Sequence, residues 1–381
     1  MMDDIELHGS LIGQQGSRAA LNTPVLVLDL DILDRNIAAM AKLAKAHGVT
    51  LRPHAKTHKS VDIAKRQLAA GAVGLCCAKI GEAEVLADGG ITGLLITSPV
   101  SAPAAIVRLA LLAKRSAGLI ATVDNPAVVA RIAEALTQAG ASLDVMIDID
   151  PGIRRTGVAS PEAAAELATA IAAAGNLRLR GVQYYCGMQQ HVEDYAERRT
   201  AIVERTDYLQ SVIAALTEAG HPPEIISGSG TGTHRIDFDL GVFTEFQTGS
   251  YALMDKQYLD CDLIGDGSIA FAPSLAVDAR VVSANHDALV TIDAGYKSLS
   301  TDGGVAVVTR GAPPETMFVF MGDEHAALIG PDIGSRLRPG DPVSLTVPHC
   351  DPTVNLYDHY HVVQDDTLVA IWPVSARGRA R

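Results

Sequence analysis

A lysine between two histidines, His54-Ala55-Lys56-Thr57-His58, follows one of the early apolar runs of the sequence. Cationic neighbours depress a lysine's pKa and favour the free amine, the form that attacks a carbonyl. A second segment, Ser227-Gly228-Ser229-Gly230-Thr231-Gly232, places three glycines in six residues. Glycine lets neighbouring backbone N–H groups turn inward together, which makes an anion cradle. It is not a Walker loop, because no Gly-Lys-Ser/Thr follows. A phosphate cup beside a lysine points to pyridoxal phosphate, which needs a cup, an amine for the Schiff base and a hydrogen-bond partner for its ring. The third segment is His349-Cys350-Asp351-Pro352-Thr353. In an extended chain residues i and i+2 share a face. His349 and Asp351 could then hold one divalent ion, with Cys350 facing away. An N/O pair suits Mn²⁺, Mg²⁺ or Zn²⁺, and two protein ligands leave room for water or substrate, as a catalytic metal requires. Each segment has a plainer reading: a solvated lysine, a glycine-rich turn, two turn residues before Pro352.

These residues need a scaffold that brings them together. From residue 50 to 249 short apolar runs alternate with Ala-rich helical stretches. Strands are expected at 50–55, 73–77, 93–98, 118–123, 143–149, 177–184, 223–227 and 244–249, with helices such as 60–70, 125–139, 161–174 and 193–219. Eight strands alternating with helices fit an α/β fold, a (β/α)8 TIM-type barrel, whose chemistry gathers at the C-terminal strand ends. An open doubly wound sheet would want a glycine-rich first turn after Val27, and LDLDILD has none. The strand ends then supply Lys56, Thr97-Ser98, Asp148 to Arg155, Gln183 to Gly187 with His191, the glycine segment, and Gln247 to Tyr251. Beyond residue 268 short strand-like runs lie between Gly, Pro and Asp clusters, which predicts a mostly β second domain. The expected division is 24–262 for the barrel, and 1–23 plus 263–381 for a β-rich domain carrying the metal ligands.

Composition narrows the function classes. Of 381 residues, 48% are apolar and 20% charged, so there is ample side chain to bury. The net charge is −13 with no basic run, which argues against nucleic acid. The most apolar stretch, 104–123, carries Arg108, Lys114 and Arg115 and is no membrane span. The start MMDDIELHGS is not a secretory signal, and five cysteines without framework spacing suit thiols in a reducing cytoplasm. Cys76-Cys77 reads as core, His359 and His361 as a solvated strand face, and Asp323-Glu324-His325 as a surface turn or at most a substrate-side contact.

Taken together, the sequence resembles the D-threonine aldolase family, within the fold-type III pyridoxal-phosphate enzymes related to alanine racemase and D-serine dehydratase. The resemblance runs on TPVLVLDLD (23–31), RPHAKTHK (52–59), GVQYYCGMQQH (181–191), SGSGTGT (227–233), TGSYALMD (248–255), DEH (323–325) and HCDPTVN (349–355), in that order. It implies a barrel plus a β domain, and a homodimer with sites near the subunit interface. It also implies pyridoxal 5'-phosphate with Lys56 as the Schiff-base lysine. Arg155 and Tyr185 would contact the cofactor. Gly228, Gly230 and Thr231 would form the phosphate cup, completed by Ser250 and Tyr251. His349 and Asp351 would hold a divalent metal, Mn²⁺ ahead of Mg²⁺, Co²⁺ or Zn²⁺, and His191 would act as base near the substrate hydroxyl.

The implied reaction cleaves a D-β-hydroxy-α-amino acid, such as D-threonine or D-allo-threonine, to glycine and acetaldehyde. Two departures stand out: Gly228-Ser229-Gly230 where relatives often carry three glycines, and Ser98-Pro99 where they often carry Asn-Glu. Dehydratase-like members resemble His-x-Cys at the metal pair. Here position i+2 is Asp351, which favours carbon–carbon cleavage. The alternatives are three. A 3-hydroxy-D-aspartate aldolase would need a cation for a second carboxylate, with Arg154 a candidate. A D-serine or hydroxyaspartate dehydratase would release ammonia. A non-catalytic cofactor carrier would need no metal pair.

Overall fold

The protein is described by a computed structural model over residues 3–381, so the first two residues of the 1–23 segment lie outside the described residues. The first strand, β1 (Val25–Asp29), is followed by the helix Leu30–Ala46, which starts where the Asp29 carboxylate accepts the Ile32 N–H at 2.9 Å. Eight parallel strands come next: β2 (Thr50–Leu51), β3 (Cys76–Cys77), β4 (Leu95–Ile96), β5 (Ile120–Val123), β6 (Leu143–Ile149), β7 (Leu177–Tyr184), β8 (Ile225–Gly228) and β9 (Glu245–Phe246). They pair in the order β2-β9-β8-β7-β6-β5-β4-β3. A parallel bridge between His54 and Cys76 closes the ring, with the Ala55 N–H donating to the Cys76 carbonyl and the Cys76 N–H to the Pro53 carbonyl, each at 2.8 Å. This is the expected (β/α)8 barrel. Helices cover its outside, and several begin on short polar caps. Asn125 accepts the Ala127 N–H ahead of Pro126, and Ser160 accepts the Ala163 N–H ahead of Pro161.

Several barrel strands are shorter than the sequence runs. β2 and β3 end where the chain turns into the mouth, and Gly74 lies so close to Gly93 that a Cβ there would meet its carbonyl at 1.8 Å. Cys76 and Cys77 are fully buried, as core residues should be.

The second sheet contains β10 (Leu275–His286), β11 (Leu289–Ile292), β12 (Val307–Arg310), β13 (Met317–Phe320), β14 (Ala326–Ile329), β15 (Pro342–Thr346), β16 (His359–Gln364) and β17 (Thr367–Pro373). Its path is β13-β14-β11-β10-β1-β16-β17, with β15 joining β10 to β12. One boundary needs correction. β1, grouped with the barrel by a division at residue 24, pairs antiparallel with β10 and parallel with β16. Its apolar residues are buried on both faces, and that run reads alike for a barrel strand and for a central strand of any covered sheet.

His361 is a second correction. It is buried rather than solvated, because the N-terminal helix Asp4–His8 packs over β16. His8 Nε2 accepts the Asn22 N–H at 3.0 Å. Its Nδ1–H is therefore the donor to His361 Nε2, 2.8 Å away, and the two rings are committed to each other. Asp4 and His359 pair beside them at 3.0 Å. Asp323, Glu324 and His325 form the expected exposed turn, with Glu324 paired to Lys297. Among the described residues no helix is long and apolar enough to cross a membrane.

Candidate active site

The first barrel strand runs into a tight turn at His54–Lys59. The Ala55 carbonyl accepts both the His58 and Lys59 N–H groups, and Lys59 takes a left-handed φ of 50°. Two anchors hold this turn. Lys59 forms a buried ion pair with Glu82, and the Tyr360 hydroxyl of the second domain donates to the His58 carbonyl at 2.6 Å. Lys56 projects from the turn into a cavity of about 300 Å³ at the C-terminal mouth of the barrel. His54 accepts the Lys56 N–H through Nδ1 at 3.3 Å, so its Nε2 donates to Thr97 at 3.1 Å. Burial, then the Lys56 charge, pushes His54 down to about 3, and it stays neutral.

Lys56 does not behave as its flanking histidines suggest. Both are neutral, and the Lys56 ammonium forms an ion pair with Asp351. Burial pulls the lysine down, but Asp351 and Tyr185 outweigh it, and the pKa is raised rather than depressed. The expectation fails because the decisive charge comes from a residue 295 positions away.

Asp351 lies in the first turn of a short helix, Cys350–Val354, and not in an extended strand. His349 precedes the helix in extended conformation. The pair still converges: His349 Nε2 lies 3.8 Å from Asp351 Oδ2. Asp302, which sequence reasoning missed, accepts a hydrogen bond from His349 Nδ1 at 2.8 Å. That contact fixes the ring orientation and turns Nε2 toward Asp351. Buried Asp255 accepts the Cys350 N–H at 2.8 Å and seats the helix. Burial first, then Asp255 and Asp351, pushes the Cys350 thiol well up, so it remains a thiol.

The glycine segment follows β8. Gly230, Thr231, Gly249 and Ser250 all line the cavity. Thr231 Oγ1 accepts the Tyr251 N–H at 2.9 Å and ties the loops after β8 and β9 together. Gln190, also missed, accepts the Gly232 N–H at 2.9 Å and supports the cradle from behind. A Cβ on Gly230 would meet Gln190 Oε1 at 2.2 Å, so a larger residue there would have to displace the Gln190 amide. Gly228 lies below the cavity, packed against the Tyr184 carbonyl and Phe243. The Tyr251 side chain is turned away into the core, where its hydroxyl accepts from Gln67 at 3.2 Å. These two expected cofactor contacts support the cup without lining it.

Arg155 and Tyr185 both line the cavity, with the guanidinium 6.0 Å from the ring centre. The floor is polar. Gln247 Nε2 donates to Ser227 at 2.9 Å and to Gln183 at 3.2 Å, and Gln183 Nε2 donates to Asp148 and to the Thr97 carbonyl, each at 2.9 Å. Burial raises Asp148 to about 6. His191 is exposed at the rim, its ring 4.5 Å from that of Tyr258, a cavity residue that had no sequence signal. Burial, then His349 and Lys56, lowers His191 to about 4.

Residues 28–256 match the alanine racemase, N-terminal domain family, and residues 274–363 match a serine dehydratase domain family. The chain is 38% identical over 365 residues to a 3-hydroxy-D-aspartate aldolase of Paracoccus denitrificans (strain Pd 1222), covering 94% of this chain and 93% of that protein. It is 37% identical over 369 residues to a D-threonine aldolase of Arthrobacter sp., covering 95% and 94%. The solved structure of the D-threonine aldolase from Filomicrobium marinum superposes with a TM-score of 0.90 at 39% identity, over 94% of this chain and 97% of that one. The chain belongs to the D-threonine aldolase family.

Family membership implies pyridoxal phosphate, and the cavity fits it. Cavity-lining Thr57 has a fully buried hydroxyl without a partner, and a Cβ on Gly249 would approach that oxygen to 2.8 Å. The cup is thus backbone and hydroxyl, which suits a phosphate. The residues also fit a divalent metal. Two ligand atoms each about 2.1 Å from one ion can lie up to roughly 4.2 Å apart, and 3.8 Å falls within that span.

Proposed function

We propose that the protein is a pyridoxal-phosphate- and divalent-metal-dependent aldolase that cleaves D-β-hydroxy-α-amino acids between Cα and Cβ, giving glycine and an aldehyde. One observation carries the reading: the Lys56 amine pairs with the same carboxylate that faces His349 Nε2, beside a glycine-built anion cup. When bound, pyridoxal phosphate supplies a sink for the electron pair left at Cα, and a divalent ion lowers the pKa of a hydroxyl on it.

The chain's own groups do the rest. Lys56 provides the amine that anchors the cofactor, and His349 and Asp351 would hold the ion. Gly230, Thr231, Gly249 and Ser250 take the phosphate. Arg155, lining the cavity with Tyr185, would contact the cofactor. His191 is neutral above about pH 4, so it accepts a proton at the rim. Gln183 and Gln247 build the polar floor of the cavity with neutral amides.

Asp351 favours this reading over dehydration, because the residue two positions after His349 is a carboxylate where dehydratase-like members resemble His-x-Cys. A homodimer working in the cytoplasm on a small amino acid completes the proposal. Five buried, unpaired cysteines fit a reducing compartment. The test is product analysis of the holoenzyme with D-threonine, D-3-hydroxyaspartate and D-serine. Glycine plus aldehyde in equal amounts supports the aldolase, whereas ammonia plus a keto acid makes it a dehydratase.

A further inference from the structure

The metal pair and the base reach the site from different parts of the fold. His349 and Asp351 follow β15 of the second sheet, and His191 follows β7 of the barrel. A base and an ion that act on one hydroxyl need a held separation, because a shift of about 1 Å costs up to about 100-fold in rate.

Asp255 sits where the two sides meet. It is fully buried and lies behind the cavity wall. Its Oδ1 accepts the Tyr258 N–H at 3.2 Å at the start of the short helix Lys256–Leu259. Its Oδ2 accepts the Cys350 N–H at 2.8 Å at the start of the helix Cys350–Val354. One carboxylate thus caps two helices, one from each side of the junction. The backbones are tied there as well. The Lys256 N–H donates to the Val347 carbonyl at 3.1 Å and the Gln257 N–H to the Pro348 carbonyl at 3.4 Å.

Each branch ends at a working group. Tyr258 lines the cavity, with its ring 4.5 Å from that of His191. The Cys350 thiol donates to Asp351 Oδ2 at 3.4 Å, the oxygen that faces His349 Nε2. The chain enters Asp255 through Met254, whose left-handed φ of 56° is rare for a bulky residue. The Met254 N–H is held at 2.7 Å by the carbonyl of Ser250, a cup residue. Only a carboxylate serves both helices. Asparagine offers one acceptor oxygen and would turn an N–H₂ group toward the other N–H.

We propose that Asp255 is the positioning residue that sets the separation between His191 and the His349/Asp351 pair, by capping with one buried side chain the helix behind each. This deepens the metal-dependent aldolase reading and rests on it.

The test is Asp255→Asn in the cofactor-loaded protein. Mn²⁺ affinity, read by direct titration, should weaken about 10- to 100-fold while the cofactor absorbance is kept. At saturating Mn²⁺ kcat for D-threonine should stay low, by up to about 100-fold, because the Tyr258 branch is displaced too. A carboxylate that only stabilised the fold would lower Tm and leave both quantities alone. A wild-type value of either quantity overturns the assignment. Should Asp255→Asn not fold, Cys350→Pro compared with Cys350→Ala carries the test. Position 350 is the first of its helix and follows an extended His349, so proline fits and removes only the N–H that Asp255 accepts. Mn²⁺ should bind about 10-fold more weakly to the proline variant than to the alanine variant, and equal affinities would overturn the proposal. A wild-type protein that binds Mn²⁺ yet cleaves no D-β-hydroxy-α-amino acid would sink the aldolase reading instead, and the Mn²⁺ titrations would still decide the role of Asp255.

Discussion

Lys56 and Asp351 form an ion pair across 295 positions of sequence, joining the first turn of the barrel to the short helix of the second domain. The pair puts the amine proposed to hold the cofactor in contact with the carboxylate proposed to hold the metal. Lys56→Ala should therefore lose both the visible-edge absorbance of the bound cofactor and all cleavage of D-threonine. Wild-type turnover in that variant would remove Lys56 from the chemistry.

Asp302 should matter to the metal although it touches neither substrate nor ion. It fixes the His349 ring orientation by accepting the Nδ1–H at 2.8 Å. Asp302→Ala is expected to weaken Mn²⁺ affinity by about 10- to 100-fold, read by metal titration of the cofactor-loaded protein. An unchanged affinity would mean that His349 orients itself.

Gly230→Ala should damage the cup. The added methyl meets Gln190 Oε1, and Gln190 is locked by hydrogen bonds to Gly232, Cys186 and Thr233. A stability loss of about 1–3 kcal/mol is expected from the overpacking. Preference for pyridoxal phosphate over pyridoxal, compared by Kd, should shrink at the same time. A variant that keeps that preference would place the phosphate elsewhere.

Acid should loosen the N-terminal helix. Burial, offset in part by Asp4, lowers His361 from 6.5 to about 4, and burial also lowers His8. Each must be neutral in the folded state, so the unfolded chain binds more protons below pH 6.5. Their stabilisation is whole above that pH and is lost as pH falls toward 4, by on the order of 3 kcal/mol for His361. Urea midpoints at pH 7 and pH 4.5 should differ more in wild type than in His361→Leu. Equal differences would count against the pair.

Much of the fold was legible because barrel strands are apolar, short and spaced by helices, as Val145 to Ile149 and Leu177 to Tyr184 are. Lys56, Gly230, His349 and Asp351 were legible because their spacing has a chemical meaning. Asp302, Gln190 and Tyr258 were not. Each acts through a tertiary contact, and an isolated Asp, Gln or Tyr in a loop carries no local signal. The same limit hid the pairing partner of β1, the inward turn of Tyr251 and the burial of His361, which a distant helix covers.

The claim that one amine and one ion serve the same bound amino acid is tested most directly by removing the ion alone. The holoenzyme would be treated with EDTA, its cofactor absorbance recorded, and glycine and aldehyde release from D-threonine measured before and after Mn²⁺ is restored. The account predicts unchanged absorbance, abolished cleavage and recovery with metal. Full cleavage by the chelated protein would contradict it.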